Sequence, residues 1–156
     1  MGFWSAWREN RRSLKRSLRT GEPWPEADVA EFVAAVEASG LFESTEAVTV
    51  APGSVDLYLE APTGQAFVVM VADGSDSCRI VCDAYVFDWV PACLVLEFLR
   101  TVMAGEIEVD FSTSRRRVVL GVPLAGEGTW RDSRWFHDDL APWETRAMAR
   151  DRTPAP

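Results

Sequence analysis

Residues with reactive chemistry are few and scattered. His137 is the only histidine of the 156-residue chain, and Asp138 and Asp139 follow it. A Ser–His–Asp or Cys–His nucleophilic site would therefore have to use His137 as its base. No nucleophile elbow or comparable local motif accompanies it. A lone histidine in an aromatic loop usually sits hydrogen-bonded or at the surface. Cys78, Cys82 and Cys93 with His137 carry the atoms of a zinc site, but not the C-x-x-C spacing that aims two thiolates at one tetrahedral ion. They read instead as small buried hydrophobes. Their odd number does not suit a disulfide framework and points to a reduced cytoplasmic compartment. Gly126-Glu127-Gly128 lacks the Gly-Lys-Ser/Thr that completes a phosphate loop and does not follow the Rossmann pattern. Glu106 and Glu108 share a strand face that arginines can neutralise, which does not suit acid–base chemistry. The expectation is a protein that is not an enzyme, with no catalytic residues, no metal and no cofactor.

Binding chemistry is better represented. Trp130, Arg134, Trp135, Phe136, His137, Asp138, Asp139 and Trp143 form one dense aromatic and charged stretch. Trp and Arg are the residues most enriched at interface hot spots. The stretch is thus the candidate surface for a protein partner. Its tryptophans are also good core fillers, and the same residues would serve to close one end of a sheet.

The elements that must position these residues follow from periodicity. The run 66–72 is apolar throughout and rich in β-branched residues, as a buried strand is. Asp73-Gly74-Ser75-Asp76 reads as a turn. Cys78, Ile80, Cys82, Ala84 and Val86 then alternate with Arg79, Asp83 and Tyr85. Asp88 and Pro91 mark the start of a buried helix that Gly105 ends. Ile107, Val109 and Phe111 alternate with Glu106, Glu108 and Asp110. A loop at Ser112-Thr113-Ser114 turns that strand into 115–122 and brings its acids near Arg115, Arg116 or Arg117.

Before this block, Phe3, Trp4, Trp7, Leu14 and Leu18 line one stripe of a basic amphipathic helix, about 3–19. That pattern suits either docking on the acidic body or a membrane or partner surface. A second helix runs from about Pro25 to Ser39, with Val29, Phe32, Val33 and Val36 on its buried face. Strands are expected at 47–50 and 55–59. After Val122, residues 125–129 read as flexible. A last helix spans roughly 139–150, capped by Asp138 or Asp139, with Leu140, Trp143 and Ala147 on one face. The predicted class is α+β in the order α-α-β-β-β-α-β-β-α. Helices pack on a mainly antiparallel sheet of five or six strands, in a single domain over residues 1–152 with a disordered tail at 153–156.

Charge narrows the partner. The formal net charge is −8, but residues 1–20 carry six basic side chains and one acid, whereas residues 21–110 carry two basic and seventeen acidic ones. So acidic a body disfavours nucleic acid, whose phosphates need Lys and Arg. It would attract a basic protein partner, or simply keep the chain soluble. No apolar run approaches the ~20 residues of a transmembrane helix, and no signal peptide is expected.

Two resemblances add to this reading. The order helix, three strands, helix, two strands, helix over residues 25–150 resembles the chaperone fold of type III secretion and its YbjN-like relatives. It is carried by Leu94 to Pro123, where an apolar helix runs into Glu106-Ile107-Glu108-Val109-Asp110-Phe111 and then Arg117-Val118-Val119-Leu120. Phe98-Leu99-Arg100-Thr101-Val102-Met103-Ala104-Gly105-Glu106 ahead of a strand is similar to segments of small acidic immunity proteins of bacterial polymorphic-toxin systems. The second resemblance implies a cytoplasmic protein that neutralises a toxin domain by binding alone, and it is the leading expectation. The first implies a protein that holds a secreted effector, usually as a homodimer.

Overall fold

The structure, a computed structural model, describes residues 24–112, 116–135 and 140–151. The basic segment at 3–19, Arg115, residues 136–139 and the tail at 153–156 lie outside the described residues. The chain runs α1 (Val29–Ala38), β1 (Ser44–Ala51), β2 (Ser54–Glu60), β3 (Ala66–Ala72), β4 (Ser77–Cys82), β5 (Tyr85–Pro91), a 3-10 turn (Ala92–Leu94) and α2 (Val95–Ala104). It continues through β6 (Glu108–Ser112), β7 (Arg117–Leu124) and β8 (Gly128–Trp135) to α3 (Pro142–Asp151). β1 to β5 form an antiparallel sheet in chain order, and β6 to β8 form a second, three-stranded one. The class is α+β, as expected. The strands number eight among the described residues and divide between two sheets, where one sheet of five or six was expected.

Local chemistry explains the joints. Ala51 pairs with Ser54, leaving Pro52-Gly53 as the loop. Gly53 has φ +69°, the left-handed value that follows Pro in a type II turn. A Cβ at Gly53 would lie 2.9 Å from Asp73 Oδ2. The close approach is used. The Asp73 amide donates to the Gly53 carbonyl at 2.8 Å, and its carboxylate accepts the Val29 amide at 2.8 Å. Asp28 accepts the Glu31 amide at 3.0 Å. Two carboxylates thus satisfy orphan amides at the start of α1, where the helix dipole favours negative charge. Because Asp28 is the N-cap, the helix begins at Val29 and Pro25 precedes it, a later start than the sequence predicts.

Both sheets and α2 share one core. Leu57, Leu59, Phe67, Val69, Ile80 and Phe87 line the inner face of the five-stranded sheet. Phe98, Leu99 and Val102 of α2 meet Leu120 and Val122 of β7 beyond it. The Phe87 and Phe98 rings pack edge to face with centroids 5.0 Å apart. Gly105, at φ +71°, ends α2 as expected.

Three expectations are corrected. The alternation from Cys78 breaks at Asp83, which adopts φ +48° in the β4–β5 turn. The turn resets the faces, so Tyr85 is buried and Val86 exposed, the reverse of the continuous pattern. Asp88 lies in β5 and does not start a helix; α2 begins at Val95. Residues 128–135 form strand β8, paired along its whole length with β7, where a flexible link and an aromatic loop were expected.

Candidate functional site

Of the eight residues proposed from the sequence, Trp130, Arg134 and Trp143 are used inside the molecule. Trp143 and Trp130 are buried. Trp143 Nε1 donates to Asp83 at 2.6 Å, and Trp130 Nε1 donates to the Trp89 carbonyl at 3.0 Å. Arg134 grips Glu144 through Nε at 2.8 Å and Nη2 at 2.5 Å. Tyr85 donates its hydroxyl to the same carboxylate at 2.7 Å, and the Ala141 amide does so at 2.7 Å. Glu144 therefore reaches back over the first turn of α3, as the acidic member of a capping box does, while its charge is met by a two-pronged guanidinium. The Arg134 guanidinium also sits 5.8 Å from the Tyr85 ring centre. Burial works to raise the Glu144 pKa, but the hydrogen bonds from Arg134, Tyr85 and Ala141 hold its carboxyl below the usual carboxylate range. Burial, then the Glu144 carboxylate, pushes the Tyr85 phenol well above its ordinary value.

This cluster is a latch that holds α3 to the β4–β5 hairpin and β8. Among the described residues its groups satisfy one another. Trp135 differs. It is 62% exposed, on the face opposite Arg134. Residues 136–139, which carry Phe136, His137, Asp138 and Asp139, lie outside the described residues.

Most of the exposed large hydrophobic side chains among the described residues lie elsewhere, on the outer face of the five-stranded sheet. Strand register lays down two rows. One runs Glu46, Tyr58, Val68, Val81, Val86; the other runs Val48, Asp56, Met70, Arg79. Val48, Val50, Tyr58, Met70 and Val86 are all exposed. The run 66–72, read as a strand buried on both faces, buries only Phe67, Val69 and Val71; Val68 is half-buried and Met70 exposed. Next to Met70 lies a depression of about 350 Å³ lined by Val50, Asp56, Arg79, Asp88 and Trp89 among others. Arg79 Nε donates to Asp88 at 2.6 Å, so this pair is neutral as a whole.

Trp89 is the residue that sequence reasoning missed here. It has φ +64°, at a bulge between Cys78 and Ile80 in the β4–β5 ladder. Left-handed backbone at a non-glycine residue costs on the order of 1–3 kcal/mol and tends to mark functional positions. Its neighbours Asp88 and Pro91 carry helix-start signals, which hid the strand. No sequence signal announces the bulge.

Cys78 and Cys82 are buried, as expected, whereas Cys93 is exposed, which corrects its reading as a buried hydrophobe. Burial, with Cys93 second, pushes the Cys78 thiol up to about 12. Burial also raises Cys82, with Asp83 and Glu144 adding to it. Such thiols stay protonated and make poor nucleophiles or ligands. Among the described residues no group of three or more His, Cys, Asp or Glu could hold a metal ion, and no helix is long and apolar enough to cross a membrane. No family model, curated protein or solved structure matches the chain.

Proposed function

We propose that this chain is a non-catalytic protein-binding domain of the immunity type, a cytoplasmic protein that neutralises a bacterial toxin domain by covering it. One observation carries the reading: an apolar face of exposed Tyr58, Met70 and Val86 with half-buried Val68 and Val81 lies beside the carboxylates of Glu46, Asp56 and Glu60. A contiguous apolar patch with a polar rim is the ordinary mark of a protein interface. The carboxylates give the partner its sign, since acidic rims speed encounter with basic surfaces.

The test is recovery of the tagged full chain from its host lysate, with mass spectrometry and size exclusion. The reading expects one stoichiometric partner, a toxin domain whose activity disappears when the chain is added. Met70→Glu, on an exposed strand position, should release it. Recovery of a secreted effector with its activity intact would favour the chaperone-like reading, in which the chain holds an effector. A clean monomer with no partner contradicts both.

A further inference from the structure

β1 is an end strand of the five-stranded sheet. Among the described residues it pairs with β2 alone, whereas the opposite edge, β5, is covered by β8: the Val86 amide donates to Asp132 at 2.7 Å. The composition of β1 offers few of the residues that usually protect an edge. From Ser44 to Ala51 it has no Lys, no Pro and a single charge, Glu46; Thr45 is half-buried and the other seven residues are exposed. Its one irregularity falls between Thr49 and Ala51, at the hairpin end, so Ser44 to Thr49 run in unbroken register with β2. Alternate amides and carbonyls along those residues point away from β2.

The stretch of chain that builds this edge carries charge of one sign. Between Trp24 and Cys78 the chain carries ten carboxylates and no Lys, Arg or His. We infer that the β1 edge is a strand-addition site for an extended basic segment of a partner protein, which joins the sheet antiparallel or parallel to Ser44–Thr49. The inference rests on the protein-binding reading and specifies the partner's chemistry. Main-chain hydrogen bonds supply the attachment, and alternate side chains supply the choice of sequence. On the outer face, the added strand would place a Lys or Arg beside Glu46 and apolar residues beside Val48 and Val50, continuing the rows described above. On the other face it meets Thr45, Ala47 and Thr49, which admit small or β-branched residues. A second copy of this chain is the wrong occupant, because β1 against β1 brings two base-free acidic stretches together, and like charges across strands destabilise.

The probe is a short synthetic peptide alternating Lys or Arg with Val. Its controls are the same peptide with Glu for each basic residue, and a version N-methylated at alternate amides so that it cannot complete a ladder. The full chain is titrated by NMR, and amide exchange is followed along β1. The inference expects slowed exchange at alternate residues of Ser44–Thr49, binding weakened about tenfold or more in either control, and a similar loss in Glu46→Lys. Val50→Lys, at the exposed end of the strand, is a second variant that keeps the fold if the first does not.

Three results would overturn it. Equal binding of the N-methylated peptide would mean charge attraction without strand addition. Protection confined to other elements would place the site elsewhere. Self-association of the free chain through β1 would make a second copy the occupant. In each case a partner released by Met70→Glu would leave the protein-binding reading standing, so the two can fail separately.

Discussion

At the scale of single residues, Glu144 carries the largest electrostatic burden. Its carboxylate is buried and meets Arg134, Tyr85 and the Ala141 amide. Removing one partner from a buried pair strands the other, at a cost of roughly 3–5 kcal/mol. Glu144→Gln should therefore lower stability by about that much in urea unfolding. Tyr85→Phe, which removes one hydrogen bond to a charged group, should cost about 1.5–3 kcal/mol. The pH dependence has a definite sign. The folded pKa of Glu144 lies below its unfolded value, so its contribution is present above the unfolded pKa, about 4.3, and is lost as pH falls through the folded pKa. Urea midpoints from neutral to acidic pH should show this loss in the native chain and a shallower one in Glu144→Gln. Trp89 is a different case, because its backbone is strained. Trp89→Gly relieves the left-handed conformation, so it should destabilise far less than Trp130→Ala, which empties a buried site at roughly 3–5 kcal/mol. Its expected loss is in partner affinity. A Trp89→Gly protein that unfolds as readily as Trp130→Ala would make Trp89 a core residue.

At the scale of elements, the three-stranded sheet turns on Gly121. Its cross-strand partners are Glu108 on β6 and Arg131 on β8, and those two side chains form an ion pair across it. A Cβ at Gly121 would lie 3.0 Å from the Thr129 methyl and 3.1 Å from Glu108 Oε2. The missing side chain is what lets the pair bridge the middle strand. Gly121→Val should lower stability by about 1–3 kcal/mol through crowding, whereas Arg131→Ala, losing an exposed pair, should cost under about 1 kcal/mol. Thermal unfolding of both variants checks the order. The same pair shows where the sequence was legible and where it was not. The acidic alternation at Glu106, Glu108 and Asp110 announced β6, but the expected arginine partners were those next in the chain, at 115–117. The partner came from β8, a strand hidden in a charged aromatic stretch without clean alternation. Helices were easier, since Val29 and Val36 at helical spacing, and Gly105 past the end of α2, are local signals. Positive φ at Asp83 and Trp89 is not local in that sense. It is set by the turn and the bulge that the neighbouring strands impose, so the hairpin and the depression beside Met70 stayed out of view. Trp130 and Trp143 illustrate the same limit. Their residue types suited a partner surface, and only the fold assigns their indole N–H groups to Trp89 and Asp83.

At the scale of the whole molecule, charge is segregated along the sequence. The stretch from α1 to β3 contains no base, and the basic residues lie before it, between Arg8 and Arg19, and after it, from Arg79 onward. Charge reversal at Glu46, Asp56 and Glu60 together should slow partner association and flatten its dependence on salt, with little change in dissociation. Stopped-flow rates across a salt series read this directly; unchanged rates would remove electrostatic steering from the account. The central claim is that the outer face of the five-stranded sheet, and not the aromatic latch around α3, holds the partner. Its most direct measurement compares partner affinity in two variants by calorimetry, Met70→Glu on that face and Tyr85→Phe in the latch. The account predicts that Met70→Glu loses binding about tenfold or more with an unchanged melting temperature, while Tyr85→Phe melts earlier and binds normally. Full affinity in Met70→Glu would contradict it.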